Sequence, residues 1–172
     1  MAIEHLASIP LLLGLLGLAV MVDLARHRIP NLLVLLGIGL GITGQIYSQG
    51  ALGLGLSVLG MMIGLAAFLP LYALGGMAAG DVKLMAMAGT FLSPLDTTWA
   101  AAFSLMAGGL CGLTLVLVRG QLPKTLGRYW LMFRLQTYVA PDAGEVAGKP
   151  FPFAIAVLFG TLASVFWQPF GQ

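Results

Sequence analysis

Apolar runs of membrane-spanning length follow one another along almost the whole chain, and that succession restricts the fold more than any single residue does. The runs cover about residues 6–22, 31–47, 51–74, a shorter 82–92, 97–118 and 151–167. A bilayer-spanning helix needs roughly 20 mostly apolar residues, so six spans use about 120 positions and leave about 50 for loops and ends. With 8% charged residues and a mean hydropathy of +1.00, against about 25% charged in soluble domains, a water-soluble globular fold is excluded. The expectation is an all-α integral membrane protein, one domain over residues 1–172, built as a bundle of about six transmembrane helices.

The first run lacks a basic leading region and ends in Asp23 and Arg26, with no small-residue cleavage site, so it reads as a retained span. Short connections at 48–50 and 93–96 favour antiparallel neighbours. The long connection covers about 119–150. Arg26, Arg28, Lys83, Arg119, Lys124, Arg128, Arg134 and Lys149, all eight basic residues, fall on one side of a six-span arrangement. The positive-inside rule makes that side cytoplasmic and places both termini, with Glu4, His5 and Gln172, on the outer side.

Within the long connection, residues 124–139 mix Arg128, Tyr129, Trp130, Phe133, Arg134 and Tyr138, a composition suited to a cytoplasmic helix lying at the headgroup level. The following PDAGEVAGKP reads as a loop, with Asp142 and Glu145 solvated. Small-residue pairs, Gly37 with Gly41, Gly60 with Gly64 and Gly108 with Gly112, read as places where helices pack closely.

A net charge of +2 is too small and scattered for a nucleic-acid footprint. The single Cys111 lies inside an apolar run, so no disulfide framework or zinc knuckle is expected, and with only His5 and His27 besides, no metal site. A Ser/His/Asp triad has no evident members at a common depth.

Six acidic residues are present, and two stand apart. Asp23 follows an apolar helix, where a negative charge opposes the helix dipole. Asp81 opens the fourth run after the small-residue stretch GGMAAG. Gly75 and Gly80 have the spacing of a phosphate loop, but Asp81 stands where that loop needs its lysine. A helix-capping role, worth about 1 kcal/mol, is the plain alternative for Asp81. What lifts the pair above separate structural roles is their common depth, since ionisable groups at a membrane boundary are functional candidates. Two carboxylates close together share a proton, which suits one to activate water and the other to protonate a carbonyl oxygen. From the dipoles, Asp81 at a helix start is expected to ionise more readily and Asp23 to hold the proton. Lys83, two positions beyond Asp81, points elsewhere on a regular helix and reads as a cytoplasmic anchor.

These pieces resemble the type IV prepilin peptidases, membrane aspartyl proteases of the GxGD class, in the short form that serves Flp/Tad-type pilus systems. The matching residues are Asp23 with Arg28, Ile29, Pro30 and Asn31 in DLARHRIPN, then Gly75, Gly76, Gly80, Asp81, Val82, Lys83 and Leu84 in GGMAAGDVKL, and KPFPFAIA from Lys149. The resemblance implies hydrolysis of a pilin precursor's leader at the cytoplasmic face of the bacterial inner membrane. Asp23 and Asp81 would then be catalytic, with Gly80, Lys83, Pro30 and Asn31 shaping the site and no cofactor involved. Its implied partners are the pilin precursor and the lipid bilayer. The first glycine of the GxGD pattern is Ala78 here, which a backbone outside the positive-φ region accommodates. Longer relatives carry an N-terminal four-cysteine region and are associated with N-methylation. This sequence shows neither the cysteines nor a reason to expect the methyltransferase activity.

Three other readings stay open on the residues. A presenilin-like or signal-peptide-peptidase-like protease also uses two aspartates, but with YD and PAL motifs, where this chain has Val22 before Asp23 and Pro152–Phe153 late. The second is a transporter with an aspartate relay, and the third a pilus-assembly scaffold without activity.

Overall fold

The computed structural model describes residues 2–137, 139 and 153–167, with side chains from residue 8 onward. The fold is all-α: α1 (Ala2–Arg26), α2 (Asn31–Ala73), α3 (Ala79–Gly89), α4 (Pro94–Val118), α5 (Leu122–Leu135) and α6 (Ala154–Phe166). Among the described residues, three helices are long and apolar enough to cross a membrane, within Ser8–Arg26, Asn31–Ala73 and Pro94–Val118. The loop carrying Asp142, Glu145 and Lys149, together with Tyr138, Phe151, Pro152 and the side chains of Glu4 and His5, lies outside the described residues.

The second and third expected runs form two helices that meet at Gly50 (φ 61°, ψ −137°) and together make up the 43 residues of α2. Only glycine enters that backbone region without strain, and the chain reverses there. A Cβ on Gly53 would collide with the Gln45 carbonyl, eight residues back, whereas eight residues of straight helix span about 12 Å. The two limbs, 31–49 and 51–73, therefore make a hairpin.

Helix α3 fills this hairpin. Gly37 and Gly41 of the first limb lie against Met87 and Thr90, while Gly60 and Gly64 of the second lie against the backbone at Gly89 and Met85. Hence α3 runs parallel to the first limb and antiparallel to the second. Eight of its 11 residues are buried. At 1.5 Å per residue α3 is about 16 Å long and α6 about 20 Å, both shorter than the roughly 30 Å hydrocarbon core.

A helix that stops inside a bundle must have its last carbonyls satisfied by protein, because no water is at hand. Ser57 Oγ donates to the Thr90 carbonyl (2.9 Å) and Gln45 Nε2 to the Phe91 carbonyl (3.1 Å). Both limbs of α2 thus cap the end of α3.

Helices α4 and α6 pack antiparallel, with Gly108 against the Phe153 ring and Gly160 against Ser104. Gly112 meets nothing within 4 Å, so of the expected third pair only Gly108 serves close packing. Beyond Gly108, α4 continues for about 15 Å with Leu110, Leu113, Leu117 and Val118 exposed. It ends on Gly120 at φ +63°, where Gly120 N–H donates to Leu117 and Gln121 N–H to Val116, a Schellman arrangement. Helix α5 follows with no buried residue. Arg128 lies over Tyr129 at 5.3 Å and Arg134 over Trp130 at 4.9 Å, side chains suited to a headgroup layer. At the opposite end of the bundle, Trp99 stacks on Phe103, which meets the edge of Trp167.

Candidate functional site

Asp23 lies in the last turn of α1, on the face that buries Leu12, Leu16 and Ala19, and is itself only 7% exposed. The Ala154 N–H and the charge of His27 both act on its carboxylate. Ala154 is the first residue of α6. The aspartate thus sits between the carbonyl end of one helix and the amide end of another, so α6 offsets the unfavourable dipole of α1. Asp23 Oδ2 is buried and has no hydrogen-bond partner. Arg26 and Arg28 are exposed.

The other carboxylate comes from a turn whose geometry the sequence dictates. Helix α2 ends in a Schellman arrangement: Gly75, at φ +71°, donates to Tyr72 and Gly76 to Leu71. The glycine pair therefore serves a helix stop. Ala78 follows at φ −81°, ψ 151° as the residue before α3, a conformation open to any residue, so alanine in place of the pattern's glycine strains nothing. Ala78 N–H donates to Asp81 Oδ2 (3.3 Å), and Asp81 N–H donates to the Ala78 carbonyl (3.1 Å). Asp81 is thus the third helical residue reaching back over the helix start, and it is only 4% exposed.

The charge of Asp23 acts on Asp81, so the topology brings the two carboxylates together. Asp81 stands outside the three long apolar spans. Burial first, and then the Asp23 charge, push it up to about 7, against the opposing Ala78 N–H. At Asp81 desolvation therefore outweighs the helix dipole, so the dipole alone does not set which of the two carboxylates ionises.

The remaining sequence-derived residues stand on the segments that carry or follow the two aspartates. Pro30 (φ −63°, ψ 131°) precedes α2 and Asn31 is its first residue, as expected for a turn-shaping proline. Gly80 faces Ile29, whose side chain stands 3.4 Å from where a Cβ would be. Lys83 is exposed, away from the carboxylates, and its Nζ donates to Asn31 Oδ1 (3.0 Å). The Ala154 amide and the caps from Ser57 and Gln45 were not anticipated. FPFAIA signals a helix start but not the aspartate it faces. Among the described residues, no three His, Cys, Asp or Glu side chains come together.

Asp23, Asn31, Asp81 and Ala154 thus cluster at one end of the bundle. Arg26, Arg28 and Lys83 lie there too, and α4 carries Arg119 and α5 past it.

Residues 10–117 match the family model of the type IV leader peptidase family. The chain belongs to that family. The match takes in both aspartates and stops before α5 and α6. No curated protein and no solved structure matches the chain. As a member of this peptidase family with three apolar helices of spanning length, it is a membrane protein with the scaffold of a peptidase.

Proposed function

We propose that the chain is a single-domain prepilin leader peptidase, an aspartyl endopeptidase that hydrolyses the leader of Flp-type pilin precursors at the cytoplasmic face of the inner membrane. The observation that carries the reading is the meeting of two buried aspartates, from α1 and α3, in a chain of the leader peptidase family. The basic residues at the same end support a cytoplasmic site, because positive charge is retained on that side. On the same ground the chain ends would lie outside and α5 at the inner headgroup layer.

In this reading Asp81 carries the shared proton, since burial raises its carboxyl to about 7 and keeps a large share of it protonated at neutral pH. Asp23 is the base: the Ala154 N–H steadies its charge, and Oδ2 is free to take a proton from water. That water attacks the scissile carbonyl while Asp81 protonates the carbonyl oxygen. Collapse of the resulting tetrahedral diol expels the amine, which takes the proton held by Asp23, while a diol hydroxyl returns its proton to Asp81 and restores the pair. Neither a covalent acyl-enzyme nor a metal enters the scheme.

The test is a gel-shift assay of the purified protein in lipid with a pilin precursor from its own organism. Asp23→Asn and Asp81→Asn should each lower cleavage by at least about 100-fold while inserting into membranes normally. Cleavage that persists in both variants removes the two-aspartate reading, and an unmutated chain that cleaves nothing favours a scaffold.

A further inference from the structure

The aspartates of the candidate site stand on separate stretches of chain, so something must fix one against the other. Asp23 leads through the turn 27–30 into Asn31. Asp81 lies two residues before Lys83. Those two following residues are joined, Lys83 Nζ to Asn31 Oδ1 at 3.0 Å, across 52 residues of sequence. We propose that this hydrogen bond is a clasp that sets the spacing of the two carboxylates, making Lys83 and Asn31 positioning residues for the reaction. The proposal rests on the leader-peptidase reading.

Three observations support it. Asp81 is buried and Lys83 exposed on the same helix, as residues two apart on a 3.6-residue period must be. While α3 keeps that orientation, the ammonium faces away from the carboxylates and acts on them only through the backbone. Next, α3 is a short helix of 11 residues entered from a turn containing Gly75, and helices of this length do not hold their own ends firmly. Its far end is tied by Ser57 and Gln45, and its near end by Lys83 together with the Ile29–Gly80 contact. Finally, a bond between an ammonium and an amide oxygen is charge-assisted, and Asn31 presents its oxygen from the first residue of α2, directly after the rigid Pro30. A misplacement of 1 Å costs on the order of 100-fold in rate, so a modest bond at this point has leverage.

The experiment compares kcat and KM for the full-length protein in lipid with Lys83→Ala, Asn31→Ala, the double variant and Asn31→Asp. Both residues are exposed, so the variants should fold. A clasp predicts that kcat falls about 10- to 100-fold in either single variant, with KM within about twofold. The double variant should be no worse than the singles, and Asn31→Asp, which keeps an oxygen acceptor, should recover most of the rate. Wild-type kcat in the alanine variants overturns the clasp. So does a loss confined to Lys83→Ala, which would assign the lysine to lipid or substrate.

A second measurement needs no substrate. A Cβ on Gly80 would stand 3.4 Å from Ile29 Cβ, close to the roughly 3.5–4.5 Å separation of a disulfide. In a Cys111→Ser background, Ile29→Cys with Gly80→Cys should crosslink quickly under mild oxidation, and adding Lys83→Ala should slow this at least threefold. An unchanged rate overturns the clasp. If the unmutated chain cleaves no precursor, the peptidase reading fails, while the crosslinking still decides whether Lys83 holds the two segments together.

Discussion

Ser57 Oγ donates to the carbonyl of Thr90 in the fully buried centre of the bundle, holding the end of α3 to the second limb of α2. Removing the hydroxyl leaves a buried carbonyl without its donor, a loss of about 1–2 kcal/mol in a membrane interior. Ser57→Ala should therefore lower the thermal unfolding midpoint in detergent, and Gln45→Leu, which uncaps the Phe91 carbonyl, should do the same. Unchanged midpoints in both would show that α3 does not depend on these caps.

The glycines provide a sharper contrast. A methyl on Gly60 or Gly89 would run into the backbone of the other residue, whereas Gly112 has open space around it. Backbone cannot step aside as a side chain can, so Gly60→Ala and Gly89→Ala should each destabilise by about 2 kcal/mol or more. Gly112→Ala should be neutral or slightly stabilising, because alanine favours a helix interior by about 1 kcal/mol. Thermal unfolding of the three variants side by side checks this, and equal losses in all three would contradict the packing.

Apolar run length was enough to read every helix but α5, which its mixed aromatic and basic composition signalled, and acidic residues are so scarce that the two aspartates stand out. What the sequence hid follows from physics that acts between elements. Runs 31–47 and 51–74, joined at 48–50, read as antiparallel neighbours and fold as such, but which glycine turns them was hidden, because Gly50 resembles every other glycine in the chain. Periodicity marked Gly112 as readily as Gly108, yet only Gly108 has a neighbour, Phe153. The dipole of its own helix is only one of the influences on Asp81. Its burial by surrounding elements, and the α6 amide that meets Asp23, exist only once the chain has folded.

Ala78 offers a test of the departure from the GxGD pattern. Its backbone, at φ −81° and ψ 151°, asks nothing of glycine, and its side chain is exposed. Ala78→Gly should leave the rate of precursor cleavage within about twofold and cost a few tenths of a kcal/mol through added freedom of the unfolded chain. A large gain in rate would mean that the methyl group obstructs access to Asp81.

Asp81 sets a pH dependence whose sign follows from its environment. Its ordinary value of 3.8 rises to about 7 in the folded protein, through burial first and the Asp23 charge second. Between those two values the folded chain holds a proton that the unfolded chain has released. Stability from this group is therefore fully present below about pH 4 and is lost as pH rises through about 7. Asp81→Asn cannot ionise, so its unfolding midpoint should lack this component and exceed that of the unmutated protein at pH 8. Cleavage by the unmutated protein should fall over the same upper limb, as the proton needed at the carbonyl oxygen leaves Asp81. Unfolding midpoints from pH 4 to 8 for both proteins, with cleavage rates for the unmutated one, test the two consequences together. An identical pH slope in Asp81→Asn would place the titrating group elsewhere.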